Sequence, residues 1–460
     1  MSAYDLIIRG GKVVTPDGVT VADLAVAEGR VAKIAATVAG SAPEEVDASG
    51  KVVFPGIIDA HVHFNEPGRT EWEGIATGSA ALAAGGGTAF FDMPLNSEPP
   101  VLDAARLNEK RAIAEKKSVT DFALWGGLTP VNLDKLGELG DAGAIGLKAF
   151  MCHSGIGSFP NVDARTLREG MKRAAELGLL VAVHAEDDAL AAKFTAEQKA
   201  AGRTDARGYL ASRPVEVELA AIGQAVEFAG ETGCALHVVH VSSPEGIALI
   251  DAAKRRGVDV TAETCPHYLL LNGDDVVRIG AAAKCAPPVR DEARRRALGE
   301  DLRAGRIDTV GSDHSPAPAA MKTAEDFFAI WGGIGGVQHG FGLVLDEMAV
   351  GTTAATERSL PMLAAALARN VARRFRLGPA KGVLAEGADA DFAIWETGAE
   401  REIRAEDLRT RHRISAYVGR RSRAWATRTF VRGRTVWAEG RVAAPGGRFL
   451  EPAPSLRWRG

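Results

Sequence analysis

The chain alternates short apolar runs with helix-forming stretches eight times, and this alternation most constrains its fold. The apolar runs are 54–63, 88–93, 122–128, 145–150, 179–184, 235–241, 258–263 and 308–313. Stretches rich in Ala, Leu, Glu and Arg separate them, such as 164–177 and 217–229, and predict helices. Eight such units over roughly 260 residues predict an α/β fold, a (β/α)8 TIM-type barrel whose functional groups gather at the carboxyl ends of the strands. A doubly wound sheet is the alternative, but no glycine-rich dinucleotide fingerprint follows the first run.

The two ends of the chain have a different pattern. Residues 4–53 consist of short apolar segments separated by Gly-rich turns, and segments 387–395 and 429–437 repeat this pattern without intervening helices. Neither end has enough apolar surface for a core of its own. We therefore predict two units, a small β-sandwich with a C-terminal extension, built from 1–53 plus 381–460, and a barrel over 54–380.

Composition excludes several classes of partner. The 460 residues are 46% hydrophobic and 25% charged, and 55 basic against 59 acidic side chains give a net charge of −4. This balance predicts no nucleic-acid partner, and no apolar run reaches the length that spans a bilayer. The cysteines are widely spaced and form no C-x-x-C pair, which predicts reduced thiols in a cytoplasmic enzyme: Cys152, Cys234, Cys265 and Cys285.

His61 and His63 are the first candidate metal ligands. They lie on an apolar strand, where side chains alternate between two faces, so both rings project from the same face. The pair alone also fits two half-exposed strand histidines, because H-x-H is a weak motif. On the sixth strand the same alternation lets only one of His237 and His240 face the barrel interior, and we predict His240 because it is nearer the carboxyl end.

Further polar residues end later strands and complete a set on one rim: His61, His63, Lys148, His184, His240 and Asp313. Four imidazoles, a carboxylate and a lysine exceed the needs of one four-coordinate zinc, which favours two divalent ions. A buried ammonium at Lys148 is costly and would repel metal. As a carbamate formed with CO2, the same side chain offers two anionic oxygens that can bridge ions about 3.5–4 Å apart.

These motifs resemble those of the cyclic amidohydrolases, the branch of the amidohydrolase superfamily that includes dihydroorotases, hydantoinases, dihydropyrimidinases and allantoinases. The segments that carry the resemblance are 55–63, 146–150, the strands of His184 and His240, 265–268, 287–290, 312–314 and 387–391. The resemblance implies a binuclear centre, usually of zinc. It implies that one ion binds His61, His63 and Asp313, that the other binds His184 and His240, and that carbamylated Lys148 bridges both.

Two positions bear on the ring that is opened. Dihydroorotases carry an arginine two residues after H-x-H for the substrate carboxylate, where this chain has Asn65, and hydantoinases carry a tyrosine five residues after the bridging lysine, where it has His153. Segments 66–74, 92–96, 284–288, 331–334 and 411–419 resemble bacterial allantoinases. This resemblance implies hydrolysis of a small uncharged substrate, allantoin, to allantoate in purine catabolism. A hydantoinase or dihydropyrimidinase is the first alternative, and a dihydroorotase the second.

The resemblance also implies a mechanism, substrate contacts and an assembly. A hydroxide between the two ions attacks the ring carbonyl, and Asp313 acts as general base and then general acid. By motif position, the residues expected to contact the substrate are Asn96, His153, the Cys285 backbone, Ser315 and Gly335. A homotetramer is implied. A third hypothesis, a non-catalytic relative that has lost its metal site, conflicts with the presence of all six ligand positions.

Overall fold

The computed structural model describes residues 4–350 and 353–453, so residues 1–3, 351–352 and 454–460 of the two predicted units lie outside it. Its strands are β1 (Leu6–Thr15), β2 (Gly18–Ala27), β3 (Arg30–Ala35), β4 (Glu44–Asp47), β5 (Val52–Pro55), β6 (Ile57–Val62), β7 (Gly87–Asp92), β8 (Asp121–Leu124), β9 (Gly126–Gly127), β10 (Leu147–Phe150), β11 (Val181–His184), β12 (Leu236–Val238), β13 (Val260–Thr264), β14 (Thr309–Val310), β15 (Phe392–Glu396), β16 (Arg401–Glu402), β17 (Arg421–Ser422), β18 (Trp425–Val431), β19 (Arg434–Ala438) and β20 (Arg441–Val442).

The α-helices of the same residues lie between the barrel strands and after them. They are α1 (Ile75–Ala84), α2 (Ala104–Lys117), α3 (Leu136–Asp141), α4 (Ala164–Leu177), α5 (Asp188–Ala200), α6 (Ala206–Ala211), α7 (Val215–Thr232), α8 (Pro244–Arg255), α9 (Pro266–Leu270), α10 (Gly273–Ile279), α11 (Glu292–Arg303), α12 (Gly340–Leu345), α13 (Thr353–Ala364) and α14 (Asn370–Arg374). Capping residues define both ends of α4. The Asp163 side chain accepts from Thr166 N at the N-terminus, and Gly178 ends the helix with a φ of 67°. None of the helices in this part of the chain is long and apolar enough to cross a membrane.

The barrel predicted from the sequence is confirmed. Strands β6, β7 and β8 pair in parallel, as do β9 to β14, each with the next along the chain. Residues 121–127 join the two sets, because the Leu124 carbonyl accepts from Ile145 N and Gly126 N donates to the Gly146 carbonyl, in the segment that leads into β10. A parallel bridge between Val62 and His314 connects the last strand with the first. With β8 and β9 counted together as the third strand, the barrel runs from β6, the first strand, to β14, the eighth, and β11 and β12 are the fifth and sixth. The carboxyl ends of all eight strands therefore share one rim.

Side-chain alternation determines which residues face the barrel interior. On β10, Leu147 and Ala149 belong to the cluster between strands and helices, together with Val181 and Val183 of β11. Lys148 lies between them in sequence and is in register with Ala182, which belongs to a separate inner cluster. Period two therefore turns Lys148 inward.

The strands of both termini form one nine-stranded sheet, in the order β20-β19-β18-β15-β5-β1-β2-β3 with β4 beside β1. A buried ion cluster attaches this sheet to the barrel, because Lys381 Nζ lies 2.7 Å from Asp121 of β8 and 2.6 Å from Asp391. The limits at 53/54 and 380/381 stay a prediction.

The first apolar run of the sequence is divided between the two sheets. Val52–Pro55 pairs with β15 and β1 of the terminal sheet, and the first barrel strand begins at Ile57 rather than at residue 54. Gly56 makes this transition possible, since a Cβ there would lie 2.2 Å from the Thr88 side chain. Hydrophobic periodicity cannot detect such a change of sheet inside a continuous apolar run.

Candidate metal centre

His61, His63 and Asp313 converge at the rim, where the first and the eighth strands of the barrel meet. The Nε2 atoms of His61 and His63 lie 3.3 and 3.5 Å from Asp313 Oδ1, and all three side chains are buried. Their donor atoms fall within 4.8 Å of one another. Two imidazoles and a carboxylate at this spacing form a donor set that suits a divalent transition metal.

The outer nitrogens of both rings are held by other groups. His61 Nδ1 donates to Glu263 Oε1 at 2.8 Å, and His63 Nδ1 donates to the Leu95 carbonyl at 3.0 Å. A ligating histidine usually donates its second ring nitrogen in this way, which fixes the tautomer and leaves the other nitrogen free to bind metal. The Nε2 atoms that face Asp313 are therefore the available ligands.

His184 and His240 form a second pair of imidazoles, from the fifth and sixth strands. His184 Nδ1 and His240 Nε2 face each other at 2.9 Å, and the His240 ring centroid lies 5.4 Å from that of His61. His184 Nε2 donates to Glu186 Oε2 at 2.9 Å, and Arg213 contacts the same oxygen at 2.5 Å. Burial lowers the pKa of both imidazoles, so that they stay neutral and able to bind metal.

Cys152, His184 and Glu186 also come within ligand distance of one another. Glu186 is already paired with Arg213. Burial alone would raise the pKa of this carboxyl, but Arg213, His184 and Arg290 together lower it to about 2. Burial raises the pKa of the Cys152 thiol to about 12, so its thiolate is scarce at neutral pH. Glu186 is thus better placed to orient His184 than to bind metal itself.

Lys148 lies buried among these groups. Its side chain has no exposed surface, and Nζ has no hydrogen-bond partner among the residues that the structure describes. Burial, partly opposed by Asp313 and Glu263, lowers the pKa of this amine to about 8. An unpaired ammonium here is unfavourable, which fits a lysine that is chemically modified or neutral.

The backbone is strained at three positions of the site. Asn65, His240 and Asp313 have φ values of 65°, 40° and 44°, in the left-handed region that residues other than glycine rarely adopt. Such strain persists only where the surrounding structure holds it, and it concentrates at functional sites.

The sequence prediction did not include Glu263, Glu186 and Arg213, which orient His61 and His184. The available signal was an acidic residue at or just after the end of a buried strand, as in 258–263 and 179–186. Glu263 also lies 3.5 Å from His237 Nε2, while His237 Nδ1 contacts Thr261 Oγ1 at 2.7 Å. His237 faces the barrel interior, because it is in register with inward-facing Ala182 and contacts Phe375 of the inner cluster. The prediction that only one of His237 and His240 faces the interior is therefore wrong, because β12 ends at Val238 and a φ of 40° at His240 breaks the alternation.

The predicted substrate contacts lie in loops after the barrel strands, in different environments. Asn96, Cys285 and Ser315 are buried, and the Cys285 carbonyl accepts from Tyr209 Oη at 2.8 Å. Gly335 has no room for a side chain, because a Cβ would lie 2.7 Å from the Ile414 carbonyl. His153 is exposed, and its Nδ1 accepts from Gly155 N at 3.1 Å. These contacts stay predictions.

Comparison with known proteins agrees with this architecture and site. Residues 52–436 match the amidohydrolase family, and the chain belongs to that family. Within it, the chain is similar to allantoinases. It is 50% identical over 453 residues to that of Deinococcus radiodurans, and the match covers 98% of this chain and 99% of the relative. It is 51% identical over 457 residues to that of Rubrobacter xylanophilus, with 98% of each chain covered.

A solved structure extends the likeness to three dimensions. The L-hydantoinase (dihydropyrimidinase) from Arthrobacter aurescens superimposes with a TM-score of 0.93 at 34% identity, covering 97% of this chain and 100% of that chain. The fold is therefore that of an amidohydrolase that acts on cyclic amides.

Proposed function

We propose that this protein is an allantoinase, which hydrolyses the cyclic amide bond of allantoin to give allantoate. One observation carries the proposal: a rim with two buried imidazole pairs, a carboxylate and an unpaired lysine occurs in a chain about half identical to allantoinases over nearly its whole length. Identity at this level across both barrel and terminal sheet supports a shared substrate as well as a shared reaction.

We propose two divalent ions, with zinc as the expected metal. His61, His63 and Asp313 would hold one ion, His184 and His240 the other, and Lys148 would bridge both as a carbamate. Bound in this way, the ions supply Lewis acidity that polarises the scissile carbonyl and lowers the pKa of a water to about 7. The hydrogen bonds of the rings support this assignment. Glu263, Leu95 and Glu186 each accept from the outer nitrogen of a histidine ring, and the other nitrogen of that ring faces the site.

The carbamate proposal depends on the chemistry of a neutral amine. Only an unprotonated amine can add CO2, and the low pKa of Lys148 keeps a fraction of it unprotonated near neutral pH. Modification replaces a buried cation with an anion that can bind metal. Intact-mass measurement of zinc-loaded protein should show one added CO2 per subunit that is absent from Lys148→Ala. A wild-type mass without that increment, in protein prepared with bicarbonate, would contradict the carbamate.

We propose that Asp313 moves the proton. It lies three residues after β14, and its carboxylate lies beside both rings of the first imidazole pair. Burial alone would raise its pKa, but His61 and His63 lower it below the ordinary value, so the group is an ionised acceptor at neutral pH. It can therefore accept a proton from the attacking water and return it to the departing ring nitrogen.

The residues near the site support an uncharged ring as substrate. Asn65 stands where a dihydroorotase carries its carboxylate-binding arginine, and its buried amide has no hydrogen-bond partner among the described residues. An amide offers a donor and an acceptor, which match ring N–H and C=O groups rather than a carboxylate. Asn65→Arg should therefore lower kcat/KM for allantoin by about tenfold or more, since a buried cation would lack a partner.

The similarity to a hydantoinase structure supports a second candidate, a hydantoinase or dihydropyrimidinase with the same metal centre. Initial rates on allantoin, hydantoin, dihydrouracil and dihydroorotate separate the candidates. We expect the highest kcat/KM with allantoin; negligible allantoin turnover with good turnover of another ring would reject the first candidate.

We also propose that the enzyme acts as a cytoplasmic homotetramer. The family resemblance supports the assembly, and four free buried cysteines fit a reducing compartment. Light scattering on the purified protein should give four times the mass of one chain, and a monomer would contradict the assembly.

A further inference from the structure

Lys110 is a buried lysine behind the metal centre that the proposed chemistry does not use. It lies on α2 without exposed surface, and its Nζ is 2.9 Å from Oδ2 of Asp92, at the end of β7. Lysines on helices normally keep the ammonium in water. A buried ion pair carries a desolvation cost and is not by itself a source of stability, which suggests a positional role.

The Lys110 ammonium holds both ends of the loop 93–97. It donates to the Met93 carbonyl at 3.0 Å and to Ser97 Oγ at 3.4 Å. Between these two anchors, the Leu95 carbonyl accepts from His63 Nδ1. Lys110 therefore fixes the loop that carries the acceptor for the His63 ring.

Asp92 extends the same connection to the other side of His63. Its Oδ1 accepts from the backbone N–H of Phe64 at 2.8 Å, one residue after His63. The ion pair between Lys110 and Asp92 thus holds two groups in place: the backbone next to His63, and the loop whose Leu95 carbonyl accepts from the His63 ring. Loss of the pair would release the imidazole from both constraints.

We propose that Lys110 is a positioning residue for the reaction, which sets the orientation of the His63 imidazole, and so the affinity of the first metal site, through the loop 93–97. This inference rests on the metal-binding role of His63 in the proposed function. Groups that orient metal ligands typically change metal affinity or activity by about 10–100-fold when they are removed.

The test uses a variant that combines Lys110→Met with Asp92→Asn. This variant leaves no buried charge without a partner, and it keeps an acceptor for Phe64 N. It removes the group that donates to Met93 and Ser97. Lys116→Met, at an exposed position of the same helix, is the matched control. Zinc affinity of each metal-free protein is measured by competition with a chelator, alongside thermal unfolding. We expect the paired variant to lose about 10–100-fold in affinity at one site, and the control to match wild type.

The outcomes are distinguishable. A folded paired variant with wild-type zinc affinity would overturn the inference, and so would a paired variant that fails to fold, because the pair would then serve the core alone. If wild-type protein binds no zinc, the proposed function fails instead. If it binds zinc but does not hydrolyse allantoin, only the substrate assignment fails, since the affinity comparison does not depend on turnover.

Discussion

The two imidazole pairs of the metal centre are held in different ways. In the first pair each ring has its own acceptor, the Glu263 carboxylate for His61 and the Leu95 carbonyl for His63. In the second pair only His184 has one, Glu186, while His240 Nδ1 has no partner among the described residues and its backbone is strained. The first pair is therefore set by two separate contacts, and the second by one charge network that includes Arg213.

Lys148→Ala should have the largest effect, because it removes the group proposed to join the two pairs. We expect kcat/KM for allantoin to fall by about a thousandfold or more, the scale seen when a group acting directly in the chemistry is lost. A short carboxylic acid added to the assay should restore part of the rate. Lys172→Ala, at an exposed lysine, is the control. Wild-type turnover in Lys148→Ala would contradict the bridging role of Lys148.

Glu263→Gln and Glu186→Gln should separate the two pairs. Each change weakens the acceptor for one metal-binding histidine, so we expect metal affinity to fall by about 10–100-fold at the site on that side only. Metal content after dialysis against increasing chelator measures this, and each variant should lose one ion before the other. Equal loss of both ions from both variants would show that the pairs do not act separately.

Much of this arrangement could be predicted from the sequence, and the parts that could not be predicted were missed for physical reasons. Periodicity identified the eight barrel strands, because side-chain alternation is a local consequence of strand geometry. The contact between His61 and Glu263 joins residues 202 positions apart, and no local pattern reports which buried acid faces which ring. The start of the first barrel strand was misplaced because the passage between sheets occurs inside one apolar run.

A smaller effect concerns acid stability beside the first pair. His267 is fully buried, neither ring nitrogen has a partner among the described residues, and burial lowers its pKa to about 4. Below about pH 6.5 this histidine takes up a proton in the unfolded state, but in the folded state it does so only near pH 4. The free energy of unfolding therefore decreases as the pH is lowered from about 6.5 to about 4. His267 should account for about 2 kcal/mol of the loss between pH 7 and pH 5.

His267→Gln should remove this share of the pH dependence. Urea unfolding of metal-free wild type and variant at both pH values provides the comparison. An unchanged pH dependence in the variant would mean that His267 titrates normally in the folded protein.

The central claim is that these residues form one centre that opens the ring of allantoin. Its most direct test is the initial rate of allantoate formation by purified protein before and after metal removal, and after zinc and bicarbonate are restored. The account predicts turnover, its loss on chelation and its recovery on restoration. Turnover that persists unchanged in protein shown to be free of metal would contradict it.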